Sequence, residues 1–160
     1  YTMLIYTPQE KLKLIEAREE EAKRIKRHEE SNRYKRFPYK CPAGKLTIGW
    51  GRNIQEKGIS LEEANFLFHN DFKEAEEIAR KFCYTGWEAL SYVRQGVIIN
   101  MAFNMGASRL SKFINLRAGI IKGDIARCVR SLEGSLWYKQ VGDRAPELVK
   151  IFKEDYAKAE

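Results

Sequence analysis

Tyr39-Lys40-Cys41-Pro42-Ala43-Gly44-Lys45-Leu46-Thr47-Ile48-Gly49-Trp50-Gly51-Arg52-Asn53 is the stretch that decides how this 160-residue chain is read. Phe37 to Cys41 and Lys45 to Trp50 read as two short strands around the turn Pro42-Ala43-Gly44. Gly49 and Gly51 leave room for a bend or a close backbone approach. A third short strand is expected near Asn53 to Gln55, and Gly58-Ile59 ends this small β-containing segment.

Outward from the hairpin the pattern is helical. Thr7-Pro8-Gln9-Glu10 opens a first helix with a capping box, and the helix runs toward Glu29. Leu12, Ile15, Ala22 and Ile25 form a thin apolar stripe on it. Its charged first half reads as projecting or partner-facing, and only its second half as packed. Ser60-Leu61-Glu62-Glu63 is a second capping box. The apolar spacing behind it, from Leu61 through Phe72 to Phe82, predicts an amphipathic helix of about six turns. Ser91 caps a helix that stops at Gly106 and is apolar on nearly every side, as a buried central helix is. Shorter helices follow around Leu110 to Phe113, Leu116 to Ile121, Asp124 to Leu132 and Leu136 to Lys139, with Asp124 as an N-cap. A last helix starts near Ala145-Pro146 and runs to the C-terminus.

Composition bounds the function. Apolar content of 44% and charged content of 32% are those of a globular domain. No apolar run reaches the length of a membrane span. The start, Tyr1 to Tyr6, leads straight into charged residues, so no signal peptide is expected. Three cysteines at irregular spacing are not a disulfide framework and suit a reducing cytoplasm. His28 and His69, without a Cys pair nearby, do not make a metal site. A net charge of +7 suits a polyanionic partner without choosing among wall polymer, nucleic acid and membrane surface. No nucleic-acid-binding motif accompanies the charge.

A carboxylate at a helix end, in His28-Glu29-Glu30, then a strand, a glycine turn and a second strand bearing Thr47, is a way to build a sugar-cleaving cleft. The arrangement resembles the phage-type lysozymes, glycoside hydrolase family 24. Their pattern is Glu-Gly, then Tyr-Lys-Asp, then Gly-x-x-Thr-Ile-Gly-x-Gly. Cys41 stands where most members carry Asp, and a subset resembles this chain with Cys there. Twelve positions separate Glu29 from Cys41 where the family usually has nine, and Glu30 replaces the family's Gly. The resemblance continues through Arg94 to Gly106, similar to the central helix of the T-even phage lysozymes. It continues again through Ser135-Leu136-Trp137-Tyr138-Lys139-Gln140 and Arg144-Ala145, and covers about residues 22 to 152.

The resemblance implies an α+β, lysozyme-like fold in a single domain of two lobes. The small lobe with its β-hairpin would span about 22–59, the connecting helix 60–82 and the helical lobe 83–160, with 1–21 as an N-terminal helical extension. It implies a muramidase that hydrolyses the β-1,4 bond between N-acetylmuramic acid and N-acetylglucosamine. Glycoside hydrolysis needs an acid that stays protonated, hence partly buried, and a base or nucleophile. Glu29 lies on the apolar stripe and at the family's offset from two hydrophobic residues, whereas Glu30 is aligned with Lys26. Glu29 is therefore the candidate acid, with Glu30 the rival. Cys41 is the candidate base or nucleophile, its thiol made more acidic by Lys40, Lys45 and Arg52. Thr47 is the candidate for holding the attacking water against Cys41.

By the same resemblance Asn53, Phe103, Leu116 and Ser131 are saccharide contacts, although the family tends to have a polar residue at the place of Leu116. Arg144 corresponds to an arginine that pairs with the catalytic Glu, and Asn100 to a structural amide satisfying helix ends. The expected partner is peptidoglycan, met by a monomer, with no cofactor, no metal, no nucleic acid and no stable membrane insertion. The expected setting is an endolysin made in the host bacterial cytoplasm and released to the wall. The alternative is a catalytically impaired lysozyme-fold protein that only binds peptidoglycan, motivated by Cys41 and by the insertion after Glu29.

Overall fold

The computed structural model describes residues 7–30 and 34–155, and the side chains of 28–30 lie outside the description. Three antiparallel strands and a set of helices place the chain in the α+β class that its sequence predicts. The chain divides into two compact units at the Leu61–Glu62 bond.

The first unit opens with α1, Pro8–Glu30. The expected capping box is formed: the Thr7 N–H donates to Glu10 Oε2 at 2.7 Å, and the Glu10 N–H donates to Thr7 Oγ1 at 3.3 Å. The Thr7 N–H, and after it the Thr7 hydroxyl donating to Glu10 Oε2 at 2.8 Å, hold the Glu10 carboxyl below its usual pKa. The expectation that the second half of α1 packs is not met. Ala22 is exposed and Ile25 keeps 54% of its surface in solvent. The stripe is too thin to bury: one alanine and a few separated aliphatic residues remove little area from water. Local i,i+3 pairs, Glu20–Lys23 at 2.6 Å and Glu21–Arg24 at 2.8 Å, support the helix instead.

Three strands follow: β1 Lys35–Lys40, β2 Leu46–Gly49 and β3 Arg52–Asn53, in the order β1-β2-β3. Tyr39 pairs with Thr47 and Lys40 with Leu46, and the register shifts between Lys35 and Tyr39. The β1–β2 connection closes when the Gly44 N–H donates to the Cys41 carbonyl at 2.8 Å and the Cys41 N–H to the Lys45 carbonyl at 3.0 Å. Gly44 sits at φ +76°, a conformation that costs glycine nothing. The third strand is shorter than expected. The Asn53 side chain accepts the Glu56 N–H at 3.1 Å and so starts a one-turn helix, α2, over Ile54–Lys57.

Helix α3, Leu61–Cys83, is close to the predicted six turns and belongs to the second unit from Glu62 onward. Ala75, Ala79, Phe82 and Cys83 bury its C-terminal part, whereas Phe66, Leu67 and Phe68 stay exposed. A 3-10 turn over Tyr84–Gly86 leads to α4, Tyr92–Leu110. Ser91 caps α4 by accepting the Arg94 N–H at 3.2 Å. The predicted stop at Gly106 is a kink (φ +72°, ψ 172°), and the helix resumes to Leu110. No separate helix spans Leu110 to Phe113. Val97, Ile98, Met101 and Ala102 are buried, but Tyr92 and Phe103 are exposed, so α4 is central on one side only.

The remaining helices are α5 Ile114–Lys122, α6 Ile125–Glu133, α7 Leu136–Gln140 and α8 Arg144–Glu154. Gly123 ends α5 in the left-handed conformation, and Asp124 caps α6 by accepting the Arg127 N–H at 2.8 Å. Helix α8 ends at Glu154 with Asp155 left-handed, and its expected run to the C-terminus passes outside the described residues. α5 packs on α6, and α4 and α6 on α8, around Phe152, Ile98, Met101, Leu110 and Leu132. Each of these large side chains stabilises the unit by about 1.5–3 kcal/mol through burial.

Candidate functional site

Cys41 and Thr47 come together because the hairpin turn is short. Cys41 follows β1 directly, and the Tyr39–Thr47 pairing lays Thr47 alongside it. Thr47 is 3% exposed, the one buried polar residue among those described. Its hydroxyl donates to the Lys45 carbonyl at 3.0 Å and satisfies the burial.

The Cys41 thiol is held below its ordinary pKa. The largest cause is the Lys45 backbone N–H, which donates to the sulfur; the Ala43 N–H and the Thr47 hydroxyl add to it, against desolvation. This corrects the sequence expectation that lysine and arginine side chains would lower it. The Lys45 ammonium is committed to Glu56 at 2.5 Å, and the Arg52 guanidinium donates to the Gly58 carbonyl at 2.9 Å. The turn supplies donors where the cations do not. A hydroxyl has a single proton, so Thr47 cannot donate to Lys45 and to a thiolate together. The coherent description has the Thr47 proton on the Lys45 carbonyl while the thiol is neutral, turning to the sulfur as the thiolate forms.

Glu29 and Glu30 close the last turn of α1, and both carboxylates lie outside the described residues. The exposure of Ile25 removes burial as the ground for preferring Glu29. The preference rests on the family offset.

The other candidates are placed as follows. Asn53 caps α2, and its amide also donates to Glu56 Oε2 at 3.0 Å, so both ends of the side chain are engaged. Phe103 is 41% exposed on α4, with its ring 5.6 Å from that of Phe68. Phe103, Phe68, Phe72, Ile99 and the exposed Arg144 line a recess of about 190 Å³ in the second unit. Asn100 lines it too, and its Oδ1 is buried without a partner among the described residues. That oxygen therefore accepts no helix-end N–H among the described residues. Leu116 is a correction: it is fully buried in the core and offers a saccharide no surface. As an aliphatic residue on the inner face of α5 it packs, and its carbonyl faces the Cys128 sulfur at 3.6 Å.

Ser131 lies on a larger pocket of about 700 Å³ in the second unit, with Asn104, Arg109, Lys112, Trp137 and Gln140. Trp137 Nε1 donates to Asn104 Oδ1 at 3.2 Å, and its ring meets Phe113 edge-on at 6.4 Å. Asn104 and Trp137 lie within the two stretches that resemble the T-even phage lysozymes, without a role that the motifs assign. A polar residue just before the Gly106 break was the available signal.

With the geometry in place, comparison with known proteins decides the family. The Phage lysozyme profile matches residues 28–153.

The chain belongs to the phage lysozyme family.

It is also similar to the pre-baseplate central spike protein Gp5 of Enterobacteria phage T4, with 32% identity over 95 residues. That match covers 58% of this chain and 16% of the spike protein. The chain's small three-stranded antiparallel sheet beside many helices is consistent with an α+β, lysozyme-like fold.

Proposed function

We propose that this phage lysozyme is a muramidase that hydrolyses the β-1,4 bond between N-acetylmuramic acid and N-acetylglucosamine in peptidoglycan. The observation that carries the reading is Cys41 beside Thr47, at the family's Asp and Thr positions, with the thiol held below its ordinary pKa by donors of the turn. Glu29 donates the proton to the leaving oxygen. Cys41, as thiolate, takes a proton from water on the opposite face of the sugar. Thr47, nearly sealed from solvent, acts on Cys41 and only through it on that water. The proton removed from water ends on the Cys41 sulfur, and the one lost by Glu29 ends on the departing sugar hydroxyl. Asn53, Phe103, Ser131 and Arg144 are the proposed contacts to the polymer, which the protein meets as a monomer.

Mass spectrometry of fragments released from purified sacculi tests the bond. Reducing-end N-acetylmuramic acid is the expected product. Reducing-end N-acetylglucosamine, or intact glycan with cut peptides, would overturn the reading. Intact sacculi that retain the folded protein would favour a wall-binding scaffold without chemistry.

In biological setting, we propose an endolysin made in the host cytoplasm and released to the wall. The similarity to a central spike protein favours a second setting, carriage on the phage particle. Proteomics of purified particles separates the two: the protein is absent from particles in the first and stoichiometric in the second.

A further inference from the structure

The described part of the first unit concentrates the charge of the chain. Residues 34–58 hold Lys35, Arg36, Lys40, Lys45, Arg52 and Lys57 against the lone acid Glu56, five of the chain's net seven positive charges. That acid is neutralised locally by Lys45.

Aromatic rings are set among these cations and open to solvent. Phe37 is 74% exposed, Tyr34 56% and Trp50 41%. Arg36 lies 5.7 Å from the Phe37 ring, and Lys26 of α1 lies 5.9 Å from the Trp50 ring. The Tyr34 and Trp50 rings are 5.6 Å apart and tilted by 45°. This end of the hairpin, where Lys35 faces Gly49, is the opposite end from Cys41 and Thr47.

β1 is an edge strand, yet Pro38 interrupts its row of N–H donors and charged side chains surround it. Both devices oppose the addition of another strand. Recognition here falls to side chains. Apolar rings flanked by lysine and arginine fit a boundary that is negative outside and apolar just beneath. A nucleobase would need an open, parallel ring face; the Phe37 and Trp50 rings already carry cations, and the Trp50–Tyr34 pair is tilted. No helix among the described residues is long and apolar enough to cross a membrane. The fit is therefore to a surface and not to a span.

We propose that Tyr34, Phe37 and Trp50, with Lys26, Lys35 and Arg36, form a face that docks the protein reversibly on an anionic phospholipid surface. The rings enter the headgroup boundary and the cations meet lipid phosphates. The face does not depend on the muramidase reading, because none of its residues is placed in the chemistry.

The test uses the full chain and vesicles of phosphatidylglycerol with phosphatidylethanolamine, beside vesicles of phosphatidylcholine alone. Of the three tryptophans, Trp87 and Trp137 are buried, so a change in fluorescence on binding reports Trp50. The expected result is co-sedimentation with anionic vesicles, a blue shift of the emission, and weakening as salt is raised. Lys35→Gln/Arg36→Gln should weaken binding about tenfold or more, at roughly fivefold per lysine or arginine near an anionic leaflet partly offset by the remaining cations. Phe37→Ser should weaken it about tenfold, as loss of a buried ring does. Both variants should keep the circular-dichroism spectrum and melting temperature of the wild type, which controls for folding whether or not the chain cleaves sacculi. Failure to sediment, equal binding to phosphatidylcholine, unchanged binding in both variants, or binding without a blue shift would each overturn the proposal. Binding of a single-stranded oligonucleotide in place of vesicles, lost in Lys35→Gln/Arg36→Gln, would replace it with a nucleic-acid surface.

Discussion

Thr47 lies beside Cys41 with its hydroxyl donating to the Lys45 carbonyl, and the Lys45 N–H in turn donates to the Cys41 sulfur. One residue of the turn thus receives from Thr47 and gives to Cys41. This arrangement lowers the thiol pKa through hydrogen-bond donors of the turn.

The first prediction concerns thiol reactivity. Burial pushes Cys83 up to about 12 and Cys128 up to about 11, while Cys41 is lowered and partly exposed. Iodoacetamide at pH 7.5 should therefore label Cys41 alone in the folded protein. Because the folded-state pKa is depressed, the reactive form appears below the ordinary thiol range of about 8.5. Thr47→Val should move that onset upward. Mass spectrometry across a pH series reads both effects.

The same shift predicts the pH dependence of activity. With Cys41 as base, the rate rises with pH as its thiolate forms. In Cys41→Asp the rise should move down by several units, toward the carboxylate value of about 3.9. Cys41→Ala should lose roughly 10²-fold or more in kcat/KM, the ordinary contribution of a positioned base. An unchanged rising limb in Cys41→Asp would remove Cys41 from the chemistry.

Helix packing predicts a coupled pair in the second unit. A Cβ on Gly119 would lie 2.6 Å from the Cys128 sulfur and 3.1 Å from the Asp124 carbonyl. Gly119→Ala should cost about 1–3 kcal/mol by overpacking. Cys128→Ala removes the sulfur, so the double variant should lose less than the sum of the two. Urea denaturation of the four proteins completes the cycle; strict additivity would contradict the close approach.

The end of α8 is tied to the start of α4. Asp155 accepts from Ser91 Oγ and pairs with Arg94 at 3.2 Å, while Arg94 Nε donates to the Phe152 carbonyl at 2.9 Å. Asp155→Asn keeps a side chain that tolerates the left-handed backbone and removes the charge. It should lower stability by about 1 kcal/mol, the scale of a partly exposed charge-assisted bond.

Much of the fold was legible because its signals are local. Asp124 and Ser91 announce helix starts through side chains that bond three residues on, and Gly106 marks a break through its own φ. What failed depends on partners distant in sequence. Periodicity gave α1 a packed half, but a stripe does not state whether it has area enough to bury. The family position of Leu116 suggested a sugar contact, while its aliphatic side chain went to the core. At the site, the order of residues revealed Cys41 and Thr47. The donors that lower the thiol are backbone groups of Ala43 and Lys45, which no side-chain pattern displays.

The central claim, acid catalysis by Glu29 with Cys41 opposite, is tested most directly by reducing-end release from purified sacculi. Wild type, Glu29→Gln, Glu30→Gln and Cys41→Ala are compared at equal concentration. The account predicts a loss of about 10²–10⁴-fold in Glu29→Gln, as for removal of a general acid, with Glu30→Gln close to wild type. Full activity in Glu29→Gln, or loss confined to Glu30→Gln, would contradict it.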